Sequence, residues 1–282
     1  MAHGVTRSIP APAKIQIVMG SFSMKLSWIL FAAAMSLGIV AVKMSDLSPI
    51  YPYVYGELRS VEGAVTGSYY TNASVDEEPV MATIFTFENA AGFTYENVSF
   101  QIGFAYQEGQ TVTVRYPSGY PQHAYIEGMK TAEFHMLFLL CLLIPLGVAL
   151  FIVLRIKRGL KDLHLLTHGI MTGGKLIEKK ATGTEINDQM VYKLTFEFSD
   201  AIGKRYRHEV KTHVTEQLED DEEERLFYLK DDPNRATMVD DLPGAPVISQ
   251  KGEIERLGSS SLITTIALPL ANIVGFAWYF FA

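Results

Sequence analysis

A single cysteine, Cys141, in 282 residues leaves no disulfide framework within the chain. Basic residues are also short. Against 31 Asp and Glu stand 24 Lys and Arg, a formal net charge of −7, which argues against a nucleic-acid partner because phosphate binding needs a basic face. No nucleophile elbow, phosphate-cradling glycine loop or dinucleotide fingerprint occurs. The most informative lack is of any charge at all over three runs, 26–42, 136–154 and 259–282. Mean hydropathy is +0.14 in a chain with 20% charged residues, so the apolar residues are concentrated in these runs.

Leu26–Val42 is 17 residues long between Lys25 and Lys43, near the lower limit for a helix that crosses a bilayer. The alternative is a cleaved signal peptide beginning at Met24, but Ala41-Val42-Lys43 is a poor cleavage site. Met136–Leu154 has 19 uncharged residues and the strongest spanning character, with Pro145 expected to kink it. Arg155, Lys157, Arg158 and Lys161 follow at once, and basic residues favour the cytoplasmic end of a span. Residues 1–25 carry Arg7, Lys14 and Lys25 with no acid, which gives the first span the same orientation. The last run, 259–282, contains Pro269 and ends in the aromatic cluster Trp278–Phe281.

These signals divide the chain. Residues 1–25 form a cytoplasmic tail, of which 1–23 are either a true tail or sequence upstream of the start. Helix one is 26–42, an outer domain 43–135, helix two 136–154, an inner domain 155–258 and helix three 259–282. The N-terminus is expected inside and the C-terminus outside. Residues 43–135 hold 4 Lys and Arg against 11 Asp and Glu, suited to the outer side.

The two domains share patterns. Phe85–Tyr95, FTFENAAGFTY, returns at Phe196–Tyr206 as FEFSDAIGKRY, 111 positions on. Upstream, Gly63–Gly67 matches Gly169–Gly173 at an offset of 106. Downstream, Tyr116, Pro121 and Ala124 match Tyr228, Pro233 and Ala236 at 112. One small domain therefore reads as occurring twice, with cores at 61–128 and 168–244. Pro79–Phe87 and Phe93–Ile102 alternate apolar and polar residues around the turn Asn89–Gly92, which predicts a β-hairpin. Further strands at Val112–Tyr116 and Tyr125–Ile126 bring the domain to about five, a sheet that must curl on itself to bury one face. The second copy is expected to insert Thr215–Arg225 where the first has only Tyr106–Gln110. The fold class that follows is membrane α + β, with three transmembrane helices and two small antiparallel β-barrel-like domains of about five strands each.

The cadence of Gly-x-Val, then Phe-x-Phe-x-[Asn/Asp]-x-x-Gly, then Val-x-Val-x-Tyr-Pro or Phe-Tyr-x-x-x-Asp-Pro resembles a bacterial family. That family is the uncharacterised "domain of unknown function 3592", small β-domains tethered to membrane helices. The resemblance covers both copies, roughly half the chain. The first copy departs from it at Tyr120-Pro121, where an acidic or Asn-Pro pair is common, and the second in its acidic stretch. What the resemblance implies is a bacterial inner (plasma) membrane protein; it lends no catalytic residue.

Individual features carry little chemistry. His164 and His168, at i and i+4, would share a helix face as half a zinc site, but the accompanying glutamate is missing. Glu216–Glu224 lacks the spaced ligands and central glycine of a calcium loop and reads as a solvated acidic stretch open to a basic partner. Asn72-Ala-Ser74 and Asn97-Val-Ser99 are glycosylation sequons that matter only in a eukaryotic secretory host. No catalytic, cofactor-binding or metal-binding residue is assigned, and no cofactor is expected. Ala34 and Gly38, and Ala267, Ala271 and Gly275, are small residues four apart that suit close helix packing, between helices one and three or against another membrane protein. No span carries an ionisable residue, which argues against an ion or substrate path. The functional expectation is a non-enzymatic interaction or scaffold protein, or an accessory subunit of a membrane complex. The alternatives are a sensor coupling outer to inner domain and a membrane-bound hydrolase whose site is assembled across domains.

Overall fold

Two tight turns, Asp76-Glu77 and Asn187-Asp188, have both central residues at positive φ (51° and 69°; 50° and 60°), the backbone twist that joins two antiparallel strands through two residues. Around them a computed structural model of the chain, describing residues 6–219, 221–242, 248–249, 253 and 259–281, places two five-stranded antiparallel sheets. In the first module β1 (Leu58–Val75), β2 (Glu78–Glu88), β3 (Thr94–Ile102), β4 (Thr111–Pro117) and β5 (Tyr125–Ile126) lie in the order β3-β2-β1-β4-β5. The second module repeats that order as β8-β7-β6-β9-β10. Its strands are β6 (Ile170–Ile186), β7 (Gln189–Ser199), β8 (Arg205–Thr212), β9 (Glu224–Tyr228) and β10 (Ala236–Met238).

The likeness reaches single residues. The ladder of β1 slips between Val65 and Gly67 and between Tyr70 and Ser74; that of β6 slips between Leu176 and Glu178 and between Ala181 and Glu185, each 111 positions later. The recurring [Asn/Asp]-Ala-x-Gly is explained by its turn. Asn89 Oδ1 accepts the backbone N–H groups of Ala91 and Phe93, both at 3.0 Å, and Asp200 Oδ1 accepts those of Ile202 and Lys204, both at 2.9 Å. Gly92 and Gly203 then supply positive φ at no steric cost. The recurring aromatics form one cluster per module. Phe87 stacks on Tyr95 (5.7 Å, 25°) and tilts on Tyr116 (5.3 Å, 35°), while Phe198 stacks on Tyr206 (5.8 Å, 25°) and tilts on Tyr228 (5.4 Å, 36°).

Two expectations need correction. Gly63 faces Phe87 and Val112 in the ladders, and Gly174 faces Phe198 and Glu224, so the partner of Gly63 is Gly174 and not Gly169. Both sit where neighbouring side chains crowd the backbone. A Cβ at Gly63 would lie 2.7 Å from Val114 Cγ2, and one at Gly174 2.6 Å from Leu226 Cδ2. Gly169 instead ends a helix, its N–H donating to the Leu165 carbonyl at 2.7 Å. Nor is the acidic stretch an insert of any size. From Tyr95 to Tyr116 is 21 positions and from Tyr206 to Tyr228 is 22, a difference of one.

The core of the first module gathers Val65, Phe85, Phe87, Val112, Val114, Tyr116 and Ile126. An isolated antiparallel bridge between Phe100 and Lys130 joins β3 to the chain just past β5, so this sheet closes nearly into a barrel. The second core has Phe196, Phe198, Leu226, Tyr228 and Met238 in the places of Phe85, Phe87, Val114, Tyr116 and Ile126, and adds Leu194 and Val210.

Three helical stretches, Phe22–Met44, Met136–His168 and Leu262–Phe281, are long and apolar enough to cross a membrane. The first is α2 (Phe22–Met44), the second a 3-10 run continued by α4 (Leu143–His168), and the third lies in α5 (Ser259–Phe281). Two shorter α-helices among the described residues are α1 (Ala11–Met19) and α3 (Tyr51–Tyr55). Pro145 does not kink the second of the long helices. It sits in the first turn of α4, where its missing N–H costs no bond, and the seven residues before, Met136–Leu142, run as a 3-10 helix. Pro269 does lie inside α5.

The crowding at Gly63 gives a direct test. Replacing Gly63 by Ala should lower the stability of the first module by about 1–3 kcal/mol, because Val114 and the Thr86 carbonyl block the new methyl. Gly67→Ala, with nothing within 4 Å and an ordinary φ, should change it by less than about 0.5 kcal/mol. Thermal unfolding of the detergent-solubilised chain, followed by near-UV circular dichroism, separates the two.

Candidate functional site

The second module has a second buried layer that the first lacks. Phe227, between Leu226 and Tyr228, points to the opposite face of β9 and packs with Ile9, Ala13, Ile17, Leu166, Val239 and Leu242. Residues 6–19, which the sequence presents as a tail, are thus part of this module's core. The equivalents of Phe227 and Val239 in the first module, 112 positions earlier, are Arg115 and Glu127, a half-exposed ion pair. One sheet position is apolar where a helix covers it and charged where water does.

Arg7 fastens the N-terminal segment. Its guanidinium Nη1 donates to the carbonyls of Leu166 (3.2 Å) and Gly169 (2.6 Å), its backbone N–H donates to the Thr167 carbonyl (2.9 Å), and it lies 4.7 Å over the Phe227 ring. These carbonyls close the C-terminal end of α4, where helical partners run out and positive charge is favoured. Higher up, α1 crosses α4 at Gly159, where a Cβ would meet Val18 Cα at 2.7 Å. Only glycine admits that approach.

The first module is fastened differently. Asp46, two residues past α2, accepts four hydrogen bonds at Oδ1: from the Ser48 N–H (3.1 Å) and hydroxyl (2.8 Å), and from the Thr131 N–H (3.0 Å) and hydroxyl (2.8 Å). The Asp46 N–H donates to the Phe134 carbonyl and the Phe134 N–H to the Met44 carbonyl, so the exit of α2 and the approach to Met136 are held together. Burial alone would push the Asp46 carboxyl up, but the bonds from Thr131 and Ser48 outweigh it and hold the group below its ordinary value.

Sequence candidates fall as follows. His164 and His168 share a face of α4 with ring centroids 4.7 Å apart. Among the described residues no group of three or more His, Cys, Asp or Glu is placed to hold a metal ion. In the acidic stretch Leu218 is buried in the second core and Glu219 pairs with Lys179 at 2.7 Å, which holds the Glu219 carboxyl below its ordinary value; Asp220 lies outside the described residues. An open depression of about 530 Å³ over the β3–β4 loop has Glu108 as the one titratable side chain in its lining. Asp241, beside β10, has its carboxyl pushed up by burial although Arg158 stands 3.5 Å away.

The small-residue faces part company. A Cβ at Gly38 would meet Leu142 Cδ2 at 3.0 Å and Pro145 Cγ at 3.6 Å, so that face receives helix two. Helices one and three meet elsewhere, through Lys25 Nζ donating to Thr264 Oγ1 (3.1 Å) and the edge contact of Phe31 with Phe276 (6.3 Å). Ala267, Ala271 and Gly275 remain exposed, with nothing within 4 Å of a Cβ at Gly275.

Sequence reading did not find Arg7, Asp46, Thr131 or Gly159. Asp46-Leu-Ser48-Pro49 does carry the signature of a short polar side chain opening a helical turn with proline behind it. Comparison with models of known protein families, with curated proteins and with solved structures returns no match.

Two predictions follow from the fastenings. Asp46→Ala should cost about 2–4 kcal/mol at neutral pH, less than four separate bonds to a charged acceptor would sum to, because they act as one network. With its folded pKa depressed, Asp46 contributes its full stabilisation above the unfolded value near ~3.9 and loses it as pH falls through the folded value. The gap between wild type and variant in thermal midpoint should therefore hold from pH 7 to about 5 and close only below about 4. Gly159→Leu should free α1 and expose residues 6–19 to limited proteolysis, leaving cleavage within the first module unchanged.

Proposed function

We propose that the chain is a non-enzymatic integral membrane protein, an interaction or scaffold protein or an accessory subunit of a membrane complex. The observation that carries this reading is the state of the three apolar helices. Only 22%, 11% and 11% of their most apolar windows are buried within the chain, an exposure that fits lipid and not water. The core clusters of both modules are made of aromatic and aliphatic side chains. The uncovered stripe of Ala267, Ala271 and Gly275 is the face on which another membrane protein would pack closely.

In this reading the chain crosses a bacterial inner membrane three times, with the N-terminus and second module inside and the first module and C-terminus outside. The charges flanking the spans support it. So does the docking of residues 6–19 on the second module, which keeps the start of α2 and that module in one compartment. The two contacts between α2 and α5 occur in the same order along both helices, which fits two spans running in the same direction. Both modules are read as copies of the domain of unknown function 3592, and the shared bulges, turns and ring clusters support a tandem duplication.

Purification from native membranes in mild detergent should recover the chain with at least one other membrane protein, and Gly275→Leu should reduce that recovery. A chain that elutes alone in both forms contradicts the reading.

A further inference from the structure

From Leu47 to Gly56 the chain carries no charge, in a domain otherwise dotted with acids. Ser48–Ile50 make one 3-10 turn and Tyr51–Tyr55 form α3. Tyr51 and Tyr55, at i and i+4, turn towards the first module. Tyr51 is buried against His123 and Tyr125 (centroids 5.6 and 6.2 Å), and Tyr55 stacks on His123 (5.0 Å, 22°) and tilts on Tyr120 (4.8 Å). The Tyr55 hydroxyl lies 3.3 Å from His123 Nε2. The other side of α3 is bare, with Tyr53 87% and Val54 62% exposed and Pro52 exposed beside them. A helix locked by rings on one face and empty on the other has its orientation fixed by the module.

Its height is fixed by the chain. Met44 ends α2, and the bridge of Ser45 with Phe134 brings in the return strand two residues before Met136. The 23 residues of α2 are about 35 Å long, more than the ~30 Å of hydrocarbon, so its end already stands among headgroups. Nine positions separate Met44 from Tyr53, and most are coiled at about 1.5–2 Å each, so Tyr53 stays within about 20 Å of the end of the span.

We infer that α3 is an interfacial foot. Pro52, Tyr53 and Val54 lie in the boundary between headgroups and acyl chains and set the height of the first module over the bilayer. The partner is the lipid surface itself. An uncharged face of tyrosine, valine and proline is what that boundary receives, with the tyrosine ring in the apolar part and its hydroxyl among the headgroups. The inference rests on α2 being a spanning helix.

Two variants of the full chain test the foot and the span separately. The full chain with Trp28→Phe, Trp278→Phe and Tyr53→Trp carries a single indole at position 53, and a companion with Trp278→Phe alone keeps Trp28. Both are reconstituted in phosphatidylcholine vesicles containing lipid brominated either high or low on the acyl chain, and quenching is compared with that by aqueous acrylamide. The foot predicts a blue-shifted indole at position 53, quenched most by the shallow bromines and poorly by acrylamide, with Trp28 quenched by bromolipid in the companion. If Trp28 is quenched by bromolipid but position 53 only by acrylamide, the foot is wrong and the span stands. A blue-shifted position 53 reached by neither quencher means a protein covers α3, and the lipid assignment fails. If Trp28 escapes bromolipid, the spanning reading falls and the foot with it.

Discussion

Uncharged helical surface has to be covered, and here the rest of the chain does not cover it. Leu30, Leu146 and Ile273 are 51%, 68% and 62% exposed, and each such side chain left in water forgoes roughly half to two thirds of the about 1.5–3 kcal/mol that full burial contributes. Summed along three helices, that cost far exceeds the marginal stability of a small domain. Lipid removes it. Once these helices lie in lipid, the remaining features have reasons: charges collect at the ends of the apolar runs, and polar knots form where the chain leaves them. The folded β-modules begin only after the backbone is clear of hydrocarbon, where sheet edges are tolerated.

The two modules show one interior serving two exteriors. A phenylalanine between two tyrosines, a glycine crowded by its neighbours and an Asx turn with a left-handed glycine recur in both. The outward positions diverge according to what lies against them. Phe227 and Val239 receive the N-terminal segment, whereas Arg115 and Glu127 pair at a partly solvated surface. Inside the sheet a smaller exchange occurs. Thr83 and Ser99 are buried partners in the first module where Leu194 and Val210 stand in the second, and Ser99 Oγ accepts the Ile126 N–H at 2.9 Å. That hydrogen bond ties β3 to β5, on the side where the first sheet closes.

What could be read from sequence is what is periodic or extreme. Apolar runs without charge, alternation along Pro79–Phe87, and a motif recurring at a constant offset gave the helices, the hairpins and the two sheets. What was missed is what depends on partners far apart in the chain. Nothing local marks Arg7 as the cap of a helix that ends at His168, or Gly159 as the point where α1 crosses. The spacing of glycines pairs Gly63 with Gly169, whereas the ladder register, opposite Phe87 and Phe198, pairs it with Gly174. A proline inside the uncharged run 136–154 predicts a kink at Pro145, but the α-helix starts only two residues before it, at Leu143. The small residues were legible as such, but which face they serve depends on which helix arrives first, and at Gly38 that is helix two.

The proposal that the two modules stand in different compartments is decided by one labelling experiment. In a Cys141→Ser background, Glu108→Cys marks the first module and Lys180→Cys the second, both at exposed positions. Sealed right-side-out vesicles are treated with a membrane-impermeant maleimide before and after lysis. The account predicts that position 108 reacts in intact vesicles and that position 180 reacts only once they are opened. Equal reaction of both positions in intact vesicles would contradict it.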